Sequence, residues 1–320
     1  MTPPVPTIRR GFTLVELLAA MTIGLLVLGA ATSFAINAWI TQSRSQASED
    51  TTRRGRYLAT SLQRDVGEVG VFVSSSLRFG SLVVNGDTIG MLRVPTRDTS
   101  LSPSYLLRWN VASPPAAGVG TCGTHCLEVR KRSGRVEIAP GDLFLIRDDG
   151  TGSQRVLLAT TVNDPNPTDT LAAVRVTFLN GVTRLWRWPS QMDSTISVPN
   201  STVQKLAVAV YYRDGNSLMR ASSFNSAGQL VPELMAAGIS GFEASVFFAN
   251  GTQADSAFPG DSLRNFCQVA SVRALAQLTT DRPADPRIAN SALVTRPMEM
   301  TFLARNLVYQ RNARRGRPCT

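Results

Sequence analysis

The chain has 320 residues, of which 43% are apolar and 18% charged. That composition supplies a sizeable core and excludes wholesale disorder. The balance is basic, formally +10, with Lys131 and Lys205 the only lysines among many arginines, so anionic partners such as nucleic acid or lipid headgroups stay open.

The first predicted element is an apolar helix. Arg9 and Arg10 precede a run from Phe12 to Ile40 whose only charge is Glu16. A secretory signal peptide has an apolar region of about 7–15 residues, and this run is too long for one. As a helix at ~1.5 Å per residue it extends about 43 Å, against a hydrocarbon core of about 30 Å. Arginines before it and a long domain after it place the N-terminus in the cytoplasm and the remainder outside the inner membrane. A carboxylate in such a segment costs on the order of 2.5–3.5 kcal/mol at the bilayer centre and less near an interface. Glu16 therefore needs a reason.

Gly11-Phe12-Thr13-Leu14-Val15-Glu16, behind two arginines and ahead of the apolar helix, resembles the type III signal of type IV prepilins. The resemblance implies that a membrane prepilin peptidase cuts between Gly11 and Phe12 and methylates the new amino terminus at Phe12. It makes residues 1–11 a leader peptide and 12–40 a transmembrane segment. It also implies that Glu16 pairs with the amino terminus of a neighbouring subunit during assembly. A buried charge is tolerable when an opposite charge meets it in low dielectric.

Residues 41–70 are polar, lack proline, and carry Leu58, Leu62 and Val66 at helical spacing with Val69 next. Gly67 and Gly70 are stop signals. The reading is one helix from about Thr13 to about Glu68, its second half an amphipathic continuation packed on a globular head; the alternative is a separate helix after a break near Ala47–Thr52.

After residue 70 the pattern becomes that of strands. Residues 82–94 hold two apolar runs around Asn85-Gly86-Asp87, a strong hairpin signal. Further strands are expected in 104–113, 126–162, "LAAVRVTFL", "GVTRLWRW", "LAVAVYYRDGNSLMRASS", "ISGFEASVFFANG" and "VASVRALAQLTT", with "PMEMTFLARNLVYQ" closing the series near 310. The expected fold class is α+β: a long N-terminal helix, its first half transmembrane, on a β-rich head of antiparallel sheets spanning 71–320.

"PGDLFLIRDD" (140–149), "VYYRDGNSLMRA" (210–221), "LMAAGISGFEASVFF" (234–248), "VASVRALAQLTT" (269–280) and "FLARNLVYQRN" (302–312) look like successive blocks of a PilW-type minor pilin. J-type pseudopilins of type II secretion share the last blocks but are usually shorter. Asp148-Asp149 stands where the PilW-type block often has a cysteine. The resemblance implies a type IV pilin-like fold, partners among other minor pilins and the major pilin, processing by a prepilin peptidase, and residence in inner-membrane lipid before assembly into a fibre. DNA stays open as a partner with no motif to support it.

Cys122 and Cys126 enclose Gly-Thr-His, while Cys267 and Cys319 stand apart. An exported head favours disulfides. A Cys122–Cys126 bridge is expected, and Cys267 with Cys319 is an open second pair. The competing reading is a metal site including His125, but the spacing matches no standard zinc motif and a closed site needs four ligands. No cofactor is expected. Residues 147–154 read as a hairpin turn rather than a calcium loop. Arg184, Trp186, Arg187 and Trp188 alternate cations and aromatics, which suits either a cross-strand cover or stacking on a polymer. Residues 311–317 form a basic tail. With one histidine, scattered acids, and neither a nucleophile elbow nor a phosphate loop, a structural subunit is favoured over a membrane-anchored exported enzyme or ligand-binding protein.

Overall fold

The computed structural model describes residues 13–73, 75, 79–95, 105–108, 126–130, 139–148, 154–163, 173–179, 201–257, 265–283 and 293–313. Two compact units divide the chain, one of residues 1–52 with 280–294 and one of 53–279 with 295–320. The first element, α1 (Leu14–Glu68), is a single helix of 55 residues, continuous through Ala47–Thr52. Over its N-terminal part the apolar side chains point outward all round, with Leu14 75% and Phe34 76% exposed. Its most apolar 18-residue window has a mean hydropathy of 2.2 and is nowhere buried, so by length and composition the helix can cross a membrane. The hydroxyls along it are satisfied within the helix: Thr22 donates to Ala19 O at 2.9 Å, Thr32 to Leu28 O at 2.7 Å and Thr41 to Asn37 O at 2.9 Å. Such back-bonding removes the cost of carrying a hydroxyl into lipid.

The rest of α1 behaves oppositely. Leu58, Leu62, Val66 and Val69 are fully buried and join one core cluster with strands of the head. The helix is stopped by Gly70, whose φ of +74° suits glycine and whose added Cβ would collide with Leu307. Leu307 lies in a closing helix, α2 (Arg305–Ala313). Helix C-termini leave carbonyls without intrahelical donors, and α2 supplies side-chain amides. Asn306 Nδ2 donates to Gly67 O at 2.8 Å and Val69 O at 3.3 Å, and Gln310 Nε2 to Gly70 O at 2.7 Å and Val73 O at 3.0 Å.

The head is built from antiparallel pairs. Its strands are β1 (Leu82–Asn85), β2 (Thr88–Arg93), β3 (Tyr105–Arg108), β4 (Cys126–Arg130), β5 (Leu143–Asp148), β6 (Gln154–Asn163), β7 (Ala173–Leu179), β8 (Ser201–Asp214), β9 (Ser217–Phe224), β10 (Leu230–Ala237), β11 (Ile239–Phe248), β12 (Gln253–Ala254), β13 (Ser256–Ala257), β14 (Val269–Pro283) and β15 (Leu293–Leu303). The long β8 is the spine of an 11-stranded sheet. Its second half lies between β2 and β9, with Ile89 and Arg220 each opposite Tyr211. Its first half has β5 on one edge and β3 on the other, and β3, β4, β7, β6 and β5 pair in succession. That ring closes on β8, and closure removes sheet edges. A second sheet runs β12-β11-β14-β15. The architecture is α+β, a long apolar N-terminal helix followed by antiparallel sheet, as the sequence implies.

Most expected strands are present where described. The Asn-Gly hairpin is β1–β2, with Asn85 opposite Thr88 and Gly86 at φ +62°. β5 pairs with β6 across the Asp-Gly segment. Two differences have physical causes. β10 was not among the expected strands; among the described residues it pairs with β9, with a register shift at Val231/Pro232, and a sheet tolerates proline at an edge or bulge. The closing segment is not a strand to 310: β15 ends at Leu303, and the chain turns into α2, where Ala304 and Leu307 are buried. "GVTRLWRW", with Arg184, Trp186, Arg187 and Trp188, lies outside the described residues.

Among the described residues, one carboxylate enters the core with the helix. The Asp65 side chain is 1% exposed. Its Oδ2 accepts Tyr211 Oη at 2.6 Å and Arg220 Nε at 3.1 Å, with Arg220 Nη2 at 3.0 Å, while Oδ1 lies 3.3 Å from Arg64 Nε. The Arg220 guanidinium also sits 5.8 Å from the Tyr211 ring centroid. Burial, and then the adjacent Asp65 carboxylate, push the Tyr211 phenol well above its ordinary range. Burial alone would lower Arg220; Asp65 and then Tyr211 more than offset it.

Asp65→Ala should destabilise the head by about 3 kcal/mol, because it leaves a desolvated guanidinium and phenol without their acceptor. A phenol whose folded pKa is raised contributes stability that is whole below about pH 10 and is lost as pH rises from there. Tyr211→Phe should therefore flatten the alkaline fall in stability while lowering it by about 1–3 kcal/mol at neutral pH. Tyr212, raised by burial and by Asp214, keeps its own smaller share. Denaturant titration of the three proteins from pH 7 to 11 measures both effects; an unchanged alkaline slope in Tyr211→Phe would contradict the assignment.

Candidate assembly site

α1 begins with a reciprocal cap. Thr13 is the last residue before the helix, and its backbone N–H and hydroxyl donate to Glu16 Oε2 at 3.1 Å and 3.2 Å. Glu16 N in turn donates to Thr13 Oγ1 at 3.3 Å. This is the capping box that Thr-x-x-Glu encodes: two donors that a helix N-terminus leaves orphaned are satisfied reciprocally. The carboxylate also sits in the first turn, where the helix dipole favours negative charge. The sequence resemblance gave Glu16 a partner on another subunit. The structure gives it a second, local duty that the same four residues already spelled out. Because the donor amide of Thr13 belongs to the Phe12–Thr13 peptide, a cut between Gly11 and Phe12 leaves the box intact.

Gly11 and Phe12 lie outside the described residues, as do Cys122, His125 and Cys319. Cys126 begins β4, and its side chain lies outside them as well. Cys267 is buried in a short 3-10 helix, Phe266–Gln268, capped by Asn265, whose Oδ1 accepts Cys267 N at 3.0 Å. It is disulfide-bonded, to a cysteine whose side chain is not among those described. The basic tail reaches the described residues in α2, with Arg311 in its last turn; residues 314–317 fall outside. Asp65, Tyr211, Arg220, Asn306 and Gln310 went unnoticed as a group. The available signal was a carboxylate on the buried face of a helix.

Residues 7–32 match the family model of the prokaryotic N-terminal methylation motif. The N-terminus is thus prepilin-like, of the kind carried by type IV pilins and pseudopilins. It marks a pilin-type structural subunit, a class that is generally non-enzymatic, assembles with other pilins and is processed by a prepilin peptidase. No curated protein and no solved structure gave a match.

The cap separates two duties of Glu16. Glu16→Gln keeps an acceptor at the third helical position and should leave amide protection at the start of α1 unchanged in detergent micelles. Glu16→Ala and Thr13→Val should each loosen the first turn by about 1 kcal/mol. Hydrogen exchange of residues 14–18 is the measurement, and equal loss of protection in the Gln variant would contradict a neutral-acceptor cap.

Proposed function

We propose that the chain is a minor pilin of PilW type, a non-enzymatic subunit that enters or primes a type IV pilus after its leader is removed. The observation that carries this reading is the prepilin motif at the head of a helix whose far end is built into the core of a large β-rich head. A long helix of that kind suits a subunit held first by lipid and then by neighbouring helices. The extent of the head favours a pilin over a J-type pseudopilin, although the closing blocks are common to both. Under this reading residues 1–11 are a leader, 12–40 span the inner membrane with the N-terminus cytoplasmic, 41–70 continue the helix, and 71–320 form the exported head. Glu16 then exchanges part of its cap for the methylated amino terminus of an adjacent subunit. The exported head carries Cys122–Cys126 and Cys267–Cys319 as disulfides.

Mass spectrometry of the assembled protein should find an N-methylated Phe12 at the terminus, and Gly11→Phe should hold the precursor uncut in the inner membrane. Glu16→Gln should insert and be cut as wild type but co-purify poorly with other minor pilins, since it keeps the cap and loses the charge. An intact Met1 in fibres would overturn the processing assignment. Full incorporation of Glu16→Gln would overturn the charge pairing, and recovery with secretion-system pseudopilins alone would favour the J-type reading.

A further inference from the structure

The turn that follows α1 holds a residue in a backbone conformation ill suited to it. Phe72 has a φ of +54°, in the left-handed region that glycine enters freely and a bulky side chain enters only at a cost. Among the described residues every other positive φ belongs to a glycine. The Phe72 side chain is also 68% exposed, so burial does not offset the strain. Such an outlier persists where its surroundings enforce it. Gln310 does so here: its Nε2 donates to Gly70 O at 2.7 Å and Val73 O at 3.0 Å, and its Oε1 accepts Ser75 N at 3.4 Å. The clamp grips the backbone on both sides of Phe72 and leaves the ring in solvent.

The helix that supplies the clamp carries a second solvent-facing aromatic. Tyr309 precedes Gln310 on α2 and is 74% exposed. Arg305 lies one turn before it, on the same helical face, and is exposed as well. Arg311 follows in the last turn, and its Nη1 has no hydrogen-bond partner among the described residues. Neither arginine makes an ion pair among the described residues. Glu68, the carboxylate that most closely precedes Phe72 in the sequence, is taken by Arg93. From Met300 to Thr320 the chain has five arginines, Arg305, Arg311, Arg314, Arg315 and Arg317, and no acid. Two exposed aromatics and an uncompensated run of positive charge therefore meet where α2 caps α1.

We propose that this surface binds single-stranded nucleic acid, with bases stacked on the Phe72 and Tyr309 rings and the phosphate backbone held by Arg305 and the arginines that follow it. Unpaired bases stack on aromatic faces whatever their sequence, and a basic surface tracks the backbone beside them. A duplex keeps its bases stacked on one another and offers this surface phosphates alone. An acidic protein would engage the arginines and leave the strained, exposed ring without a purpose. A neutral glycan would engage the rings and leave the charge without one. The inference does not rest on the pilin reading, and the failure of either leaves the other standing.

The test is fluorescence anisotropy of the full-length protein in detergent micelles with an end-labelled oligothymidylate about 20 nucleotides long. Binding should saturate and weaken as salt rises. A blunt duplex of equal length should bind about tenfold more weakly, because it presents no free base to stack, and polyglutamate should displace the strand poorly. Phe72→Gly removes the ring and relieves the strain, so it should weaken binding about tenfold, the scale of one lost stacking contact, with no fall in thermal stability. Tyr309→Ala should weaken it by a similar factor, and Arg305→Gln should flatten the logarithmic salt dependence by about 0.7. Should Phe72→Gly fail to fold, Tyr309→Ala, an exposed substitution to a strong helix former, still decides. Equal affinity for the duplex, or full displacement by polyglutamate, would reduce the surface to charge alone and overturn the proposal. Absence of saturable binding, or wild-type affinity in both aromatic variants, would overturn it as well.

Discussion

Asp65 is a carboxylate on the helix face that carries Leu58, Leu62, Val66 and Val69 into the core, and its burial is the constraint from which the rest of the head is best understood. An ionised group withdrawn from water costs several kcal/mol unless it is paired and hydrogen-bonded. The pairing here comes from two strands at once. Tyr211 on β8 and Arg220 on β9 are direct cross-strand neighbours, and both reach the same carboxylate oxygen. A one-residue slip of β9 against β8 would turn Arg220 to the opposite face. The carboxylate therefore does more than tolerate burial: it specifies which register the two central strands adopt beneath the helix.

The same requirement, that no polar group go unsatisfied, accounts for both ends of α1. At the start, in the part that faces outward with apolar side chains, Thr13 and Glu16 satisfy each other before any neighbour is present. At the finish, where Gly70 lets the chain turn away, the amides of Asn306 and Gln310 take up the carbonyls the helix leaves open. The last helix of the chain thus completes the first, and α2 is folded against the head by its own buried Leu307. A pilin-type subunit must pass from lipid into a fibre without its helix unravelling at either end, and these caps belong to the chain itself.

How much was legible in the sequence follows from the range of each interaction. The long helix, its glycine stop and the Asn-Gly hairpin are local, and periodicity or a turn residue encodes each of them. The Thr-x-x-Glu cap is equally local, encoded by four consecutive residues, whereas the pairing that the prepilin resemblance implies for Glu16 needs a second subunit. What escaped is non-local. Tyr211 and Arg220 are 146 and 155 positions from Asp65, and no spacing announces that a carboxylate will find them. The closing of β3 to β7 into a ring on β8 depends on strand order, which short apolar runs do not fix. β10 carries Pro232, and proline argues against a central strand while an edge or bulge accepts it. The second helix was hidden because "FLARNLVYQRN" continues an apolar strand pattern across the point where Ala304 enters the core.

The second half of α1 belongs to the head's cooperative core rather than resting on its surface. Native-state hydrogen exchange of the full chain in detergent micelles tests this directly. Amides of residues 58–69 should open only with the global unfolding that exposes Val208, Val210 and Tyr211 of β8, at the same free energy and with the same denaturant dependence. Exchange of those helical amides at a markedly lower free energy, while β8 stays protected, would show that the helix lifts off by itself and would contradict the account.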